Sequence, residues 1–353
     1  MEETARWLPL MKMPRPTPEQ TRQAIINQQA VYASYGITTA QEGATDQNTI
    51  KQLESMAAEG QLSIDIVAFP AIKKPEDFTA DIKPSKTYNN GFRVGGIKMT
   101  LDGSPQGKTA WLSMPYHVAP HGMDDEYKGY AIFEDENVKT IVKQAFERGI
   151  QVIAHANGDA AIDQILDSAK TANTVLGNAD RRTVIIHAQT ARDDQIDMMK
   201  AENVMPSYFV AHTFFWGDWH RDSVFGEARA KRISPLNTTL SKEVPFTIHN
   251  DTPVVPPNMM RLAWTAVNRE TRSGKILGES ERVSPMQAFK ALTINGAYQY
   301  FEEDTKGSLE AGKLADLVIL SENPTVIAPG AIKDIRVLET IKAGNTVFTT
   351  KED

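Results

Sequence analysis

Apolar residues in this chain follow two rhythms that take turns. Thr17-Pro18-Glu19-Gln20 reads as a capping-box start; Ala24, Val31 and Tyr35 then fall on one helical face, and Gly36 ends the segment. Ile37 to Ala40 reads as a strand, residues 47–59 as a helix, and Ser63 to Phe69 as a second strand. Further strands are predicted over 94–101, 150–155, 183–187, 204–211 and 245–250. The helices between them are marked by Val138, Ile141, Val142 and Ala145, by Ile162, Ile165, Leu166 and Ala169, and by Ile196 with Met199. These β-then-α units number seven, which argues for a parallel sheet under helical cover. The common closed form of such a sheet has eight. Residues 102–135, rich in Gly, Pro, Tyr and His, read as one long loop of the kind that carries function. Past residue 285 the rhythm changes: a helix over 285–300, then short β runs ending in a hairpin through Lys342-Ala343-Gly344-Asn345.

Composition narrows the classes. The chain has 353 residues, 41% hydrophobic and 24% charged, enough for a substantial core. Net charge is −7 and no dense Lys/Arg cluster is present, which argues against nucleic acid as a partner. Cysteine is absent, so disulfides and thiolate metal sites are excluded. No apolar run is long enough to span a bilayer, and MEETARWLPLMKMPRPTPEQ lacks a signal-peptide pattern. A cytoplasmic location is the default; a periplasmic or secreted one stays open.

Four residues stand at or just past the C-terminal ends of predicted strands: Lys98, His155, His187 and Asp251. In a parallel barrel these ends face the active site. Two neutral imidazoles suit a divalent metal such as zinc, and a carboxylate beside it can act as general base. A desolvated lysine amine loses its proton readily and can add CO₂. Each residue also has a plainer reading. A lone strand-end His is more often a hydrogen-bonded structural residue, Lys98 an ordinary ion-paired lysine, and Asp251 before Thr-Pro a turn start. His212, expected to end the strand over 204–211, and Trp216, expected in the loop after it, are candidates for lining a substrate pocket, as is Asp102; packing is the alternative. His249 shares a strand face with Asp251, as a ligand or as a support for one. No dinucleotide fingerprint or GxSxG nucleophile motif occurs.

The runs GGIKMTLDGSPQGKTA (95–110), HANGDAAID (155–163), IIHAQ (185–189), HNDTPV (249–254) and GSLEAGKLADLVIL (307–320) resemble the YtcJ-like branch of the amidohydrolase superfamily. The resemblance runs from about residue 17 onward. It implies an α/β fold, a (β/α)₈ TIM-type barrel with a small β-sandwich. Here the barrel would occupy residues 1–304 and a sandwich portion residues 305–353. It also implies a hydrolase of bacterial type acting on amide or related C–N bonds, including N-acyl and N-substituted formamide substrates. By motif position Lys98, a lysine that can be carboxylated, His155, His187 and Asp251 match metal ligands, and Asp251 also matches the base that activates water. The family pattern opens with a strand ending in His-x-His, and no such triplet occurs here; the first histidine is His117. The barrel is therefore expected to lack its first strand, and the metal complement to be one or two ions. An open seam invites a covering partner, such as another copy of the chain. The competing reading is a catalytically impaired or regulatory ligand-binding protein on the same barrel.

Overall fold

A computed structural model describes residues 11–14 and 16–350. The first ten residues, half of the stretch read above for a signal peptide, lie outside the described residues. Helix α1 (Pro18–Ser34) starts as its sequence predicts: the Thr17 hydroxyl accepts from the Gln20 N–H, and the Gln20 side chain accepts from the Thr17 N–H. β1 (Thr39–Thr45), α2 (Gln47–Ala58) and β2 (Asp65–Pro70) follow. The single strand expected over 94–101 is two consecutive runs, β3 (Phe92–Val94) and β4 (Gly96–Thr100). The break has a steric cause. A Cβ on Gly95 would lie 2.6 Å from Val67, and one on Gly96 would lie 2.2 Å from the Gln151 carbonyl oxygen. Only glycine lets the strand pass this close to both neighbours.

Residues 101–134 contain no helix or strand, the long loop that was expected. Then come α3 (Asp135–Glu147), β5 (Gln151–Ala156), α4 (Asp159–Leu176), β6 (Thr183–His187), α5 (Asp193–Ala201) and β7 (Val204–Tyr208). Here the structure departs from expectation. The strand stops at Tyr208, and the next residues form helix α6 (Ala211–Trp219) and a π-turn over His220–Val224, so His212 and Trp216 are helical. α7 (Gly226–Ala230), α8 (Leu236–Ser241), β8 (Thr247–Ile248) and α9 (Met259–Asn268) complete this part. The helix expected over 285–300 is split into α10 (Pro285–Leu292) and α11 (Ile294–Gln299), joined at Thr293.

β1, β2 and β3 pair in parallel, as do β4 to β8 in sequence order. A parallel bridge from Ala71 to Lys98 links the two sets. Side-chain alternation gives each strand two faces. One face, with Ile97, Met99, Val152, Ala154 and Ile185, packs under the helices. The other gathers Val67 and Phe69 of β2, Ile153 of β5, Val184 and Ile186 of β6, and Met205 of β7 into a single cluster. Strands that are not neighbours meet there, so the sheet curls around this inner core.

The antiparallel strands β9 (Leu317–Leu320), β10 (Val337–Lys342) and β11 (Asn345–Thr349) form the β appendage. It leans on α1, where the Thr340 hydroxyl donates to the Ala33 carbonyl at 2.7 Å. A buried charge network ties it to the start of β2. Asp65 pairs with both Lys306 and Lys342, Lys342 also with Asp316, and Lys306 also with Glu302. Arg93 completes it, with its guanidinium 2.7 Å from Glu302.

Candidate active site

Lys98 lies between two outward-facing residues, Ile97 and Met99, so its side chain points into the curl of the sheet. His155 follows inward-facing Ile153 by two residues and points the same way. His187 does not follow this rule. Val184 and Ile186 face inward, so simple alternation would turn His187 out under the helices. Its backbone instead adopts φ +77°, and Ala188 follows at +45°. This left-handed kink turns the imidazole back toward His155, the two ring centres lying 4.5 Å apart. Such a conformation in a residue with a Cβ costs about 1–3 kcal/mol and persists only where its surroundings hold it.

His249, one residue beyond β8, stands beside His187. Its Nε2 lies 3.2 Å from His187 Nδ1, and its Nδ1 lies 3.0 Å from the Ser207 hydroxyl. The sequence left its role open between ligand and support; the structure brings it into the group. Asp251, three residues past β8, also sits in a left-handed conformation, φ +58°. Lys98 and His155 are each close enough to act on Asp251 electrostatically.

Burial sets the protonation of these groups. Desolvation pushes the Lys98 amine down to about 8, opposed by Asp251. His187 is held well below its ordinary pKa, by burial first and then by His155, His249, His212 and Lys98. Burial, with Lys98 and His155 adding to it, takes His249 down to about 3. These imidazoles are therefore neutral, with a lone pair to offer. The Asp251 side chain stays open to solvent, yet protein crowds it on most sides. That crowding raises its carboxyl pKa, with His155 and Lys98 pulling the other way.

Asp102, expected at the substrate, is instead fully buried and holds the site's backbone together. One carboxylate oxygen accepts from the Asn157 N–H at 3.0 Å; the other accepts from Trp111 at 3.0 Å and Gly158 at 2.8 Å. The three amides belong to the long loop and to the turn after His155. His155 Nδ1 lies 3.1 Å from the same carboxylate but is angled out of hydrogen-bond geometry. Nothing in the sequence around Asp102 distinguishes this buried hub from an exposed loop aspartate. His212 is buried 6.0 Å, ring to ring, from His187, and Trp216 is half-buried beyond it.

The family model described as "Amidohydrolase family" matches residues 2–348. The chain belongs to the amidohydrolase family. The chain is 28% identical over 261 residues to the Bacillus subtilis protein "Putative amidohydrolase YtcJ", covering 72% of this chain and 47% of that protein. It is 28% identical over 221 residues to the N-substituted formamide deformylase of Arthrobacter pascens, covering 61% of this chain and 40% of that one. The chain thus spans about half the length of the curated relatives it matches. Among solved structures, an uncharacterized metal-dependent hydrolase from Pyrococcus horikoshii OT3 superposes with a TM-score of 0.77 at 27% identity, over 89% of this chain and 62% of that one.

In residue type, Lys98, His155, His187, His249 and Asp251 suit a divalent metal: imidazoles, a carboxylate and an amine of lowered pKa. His155 turns its Nδ1 to the Asp102 carboxylate at 3.1 Å, the orientation that leaves Nε2, 3.2 Å from the Asn157 side-chain amide, as the nitrogen able to meet an ion. Among the described residues no three His, Asp or Glu side chains stand in a ready-made cluster. The His187–His249 contact accounts for part of this, since it occupies a nitrogen on each ring. Among the described residues, no helix is long and apolar enough to cross a membrane.

Proposed function

We propose that this chain is the greater part of a metal-dependent amidohydrolase barrel that cleaves an amide or related C–N bond of a small molecule. N-acyl amines and N-substituted formamides are the substrate classes. What supports this reading is the pairing of the His155 and His187 rings, 4.5 Å apart, with Lys98 near enough to act on His187 and His155 near enough to act on Asp251. Family membership and likeness to metal-dependent hydrolases support it.

His155, His187, Lys98 and Asp251 would hold the metal, with zinc the first choice for this donor set. When bound, it supplies Lewis acidity that polarises the scissile carbonyl. Asp251 is both crowded and open to solvent, so it can take a proton from the attacking water and return it to the departing amine. Lys98, neutral in part near pH 8, can add CO₂ through its amine and lose a proton to become a carbamate. His249, held by Ser207, fixes the ring of His187. The barrel's first strand and its His-x-His pair are taken to come from outside these 353 residues, and the seam to be covered by that segment or by a second copy of the chain.

The test is hydrolysis of N-alkylformamides and N-acetylamines by protein of measured metal content. Asp251→Asn is expected to lower kcat by about 10²–10⁴ at unchanged fold. Equal rates for wild type and variant would overturn the reading. So would a protein that stays inactive and metal-free with the His-x-His segment supplied, and that outcome favours a ligand-binding role instead.

A further inference from the structure

Beyond the metal-site residues, α6 and the turn after it bury two imidazoles that the proposed chemistry does not use. His220 is wholly buried, and neither of its ring nitrogens has a partner among the described residues. His212 is 2% exposed, and its Nδ1 is likewise unpartnered. The two rings stand 5.6 Å apart, nearly perpendicular. Phe209 packs against both groups, 4.5 Å from His212 and 5.9 Å from His187, and the His212 and His187 rings are themselves 6.0 Å apart. Buried polar atoms in native proteins are hydrogen-bonded almost without exception, so this many unspent nitrogens in one place call for an occupant.

Other unspent groups occur on α6 and on the segments after β6 and α7. Both amide atoms of Gln189, the Ser234 hydroxyl and the Thr213 hydroxyl are buried without partners. The Ser234 N–H donates to the Gln189 carbonyl at 2.8 Å, joining the segment after β6 to the one after α7. Ile233 packs in one cluster with Phe225, whose ring is 5.2 Å from His220. The Arg269 guanidinium gives its hydrogen bonds to the carbonyls of Leu277, Ser234 and Ile233, and Glu281 opposes its charge. What remains is a set of neutral donors and acceptors. The π-turn starting at His220 is a local irregularity of the kind that tends to accompany functional positions.

We propose that His212 and His220 form an inner recognition subsite for an uncharged hydrogen-bonding group, a hydroxyl or carboxamide, on the part of the substrate beyond the scissile bond. The subsite rests on the hydrolase reading for its substrate, but binding tests it apart from turnover. Three formamides of similar length serve as probes in ligand-observed NMR titrations: N-(4-hydroxybutyl)formamide, N-pentylformamide and N-(3-carboxypropyl)formamide. Wild-type protein is expected to bind the hydroxyl compound roughly tenfold more tightly than the pentyl compound, and the carboxylate most weakly. His220→Phe keeps a ring but removes both nitrogens, so the hydroxyl preference should vanish while pentyl affinity holds. His220→Gln should keep part of it. His212→Phe supplies the same comparison independently, should His220→Phe fail to fold by near-ultraviolet circular dichroism. An unchanged preference in folded variants overturns the subsite, as does a wild type without preference or one that does not bind the hydroxyl compound. A preference without any hydrolysis sinks the hydrolase reading alone; hydrolysis without a preference sinks the subsite alone.

Discussion

Replacing Asp102 by Asn tests whether one buried carboxylate holds the floor of the site together. Asp102 is fully buried and takes three backbone N–H groups, from Trp111, Asn157 and Gly158, at 2.8–3.0 Å. Hydrogen bonds to a charged group are worth about 1.5–3 kcal/mol each, and neutral ones about 1 kcal/mol. Asn has one acceptor oxygen. In its better orientation that oxygen keeps Trp111 and Gly158 as two weaker bonds, and its NH₂ then faces the Asn157 N–H, donor against donor. One charged bond is lost, two are weakened and one buried donor is stranded, for a net cost of about 3–5 kcal/mol. Urea unfolding followed by tryptophan fluorescence would read this as a lower midpoint at unchanged m-value. Amide exchange at Trp111, Asn157 and Gly158 should accelerate selectively. A loss under about 1 kcal/mol, with exchange at these amides unaltered, would show that the loop and the turn after His155 are held by something else.

Three further outcomes are expected. Lys98 has its pKa lowered to about 8 from 10.5, so the unfolded chain binds more protons between those values. In metal-free protein, wild-type stability relative to Lys98→Met should rise across pH 8–10.5 and fall back by about 3 kcal/mol below it; a flat difference would argue against a buried amine. Gly158→Ala would set a Cβ 1.9 Å from the Trp111 carbonyl oxygen, so displaced loop packing and a lower Tm are expected, and a wild-type melting curve would contradict this geometry. Arg93→Ala removes two charged hydrogen bonds to Glu302, whose side chain is only 6% exposed, and leaves it Lys306 and Tyr88. A loss of about 3 kcal/mol in chemical denaturation is expected, and a loss below 1 kcal/mol would mean that Lys306 and Tyr88 suffice to hold that carboxylate.

Most of the parallel strands were legible because they are short apolar runs bounded by turn residues, and α1 because its capping box is complete in sequence; β1, the polar run TAQEGAT, shares only Thr39 and Ala40 with the strand expected over 37–40. Lys98, His155 and His187 stood out for a related reason, polar residues at the ends of apolar strands. What failed was local ambiguity. Phe209 to Trp216 is a nearly unbroken apolar stretch with no capping residue at its start, so nothing in it separates a longer strand from a helix. Tertiary packing decides that, and it moved His212 and Trp216 from strand end and loop onto one helix. The role of Asp102 was invisible for another reason: its three partners lie 9, 55 and 56 residues away, and only the fold brings them together. The division at Gly95 depends on Val67, Phe69 and Gln151, which no local window contains.

The left-handed backbone at His187 also limits what can replace it. Asparagine, aspartate and glycine enter that torsion easily, whereas valine, isoleucine and threonine resist it. A designer or a lineage wishing to harden this centre with an oxygen donor therefore has a ready route through aspartate. A β-branched residue at the same position would push the peptide back toward an ordinary extended form and send the new side chain under the helices, away from the chemistry.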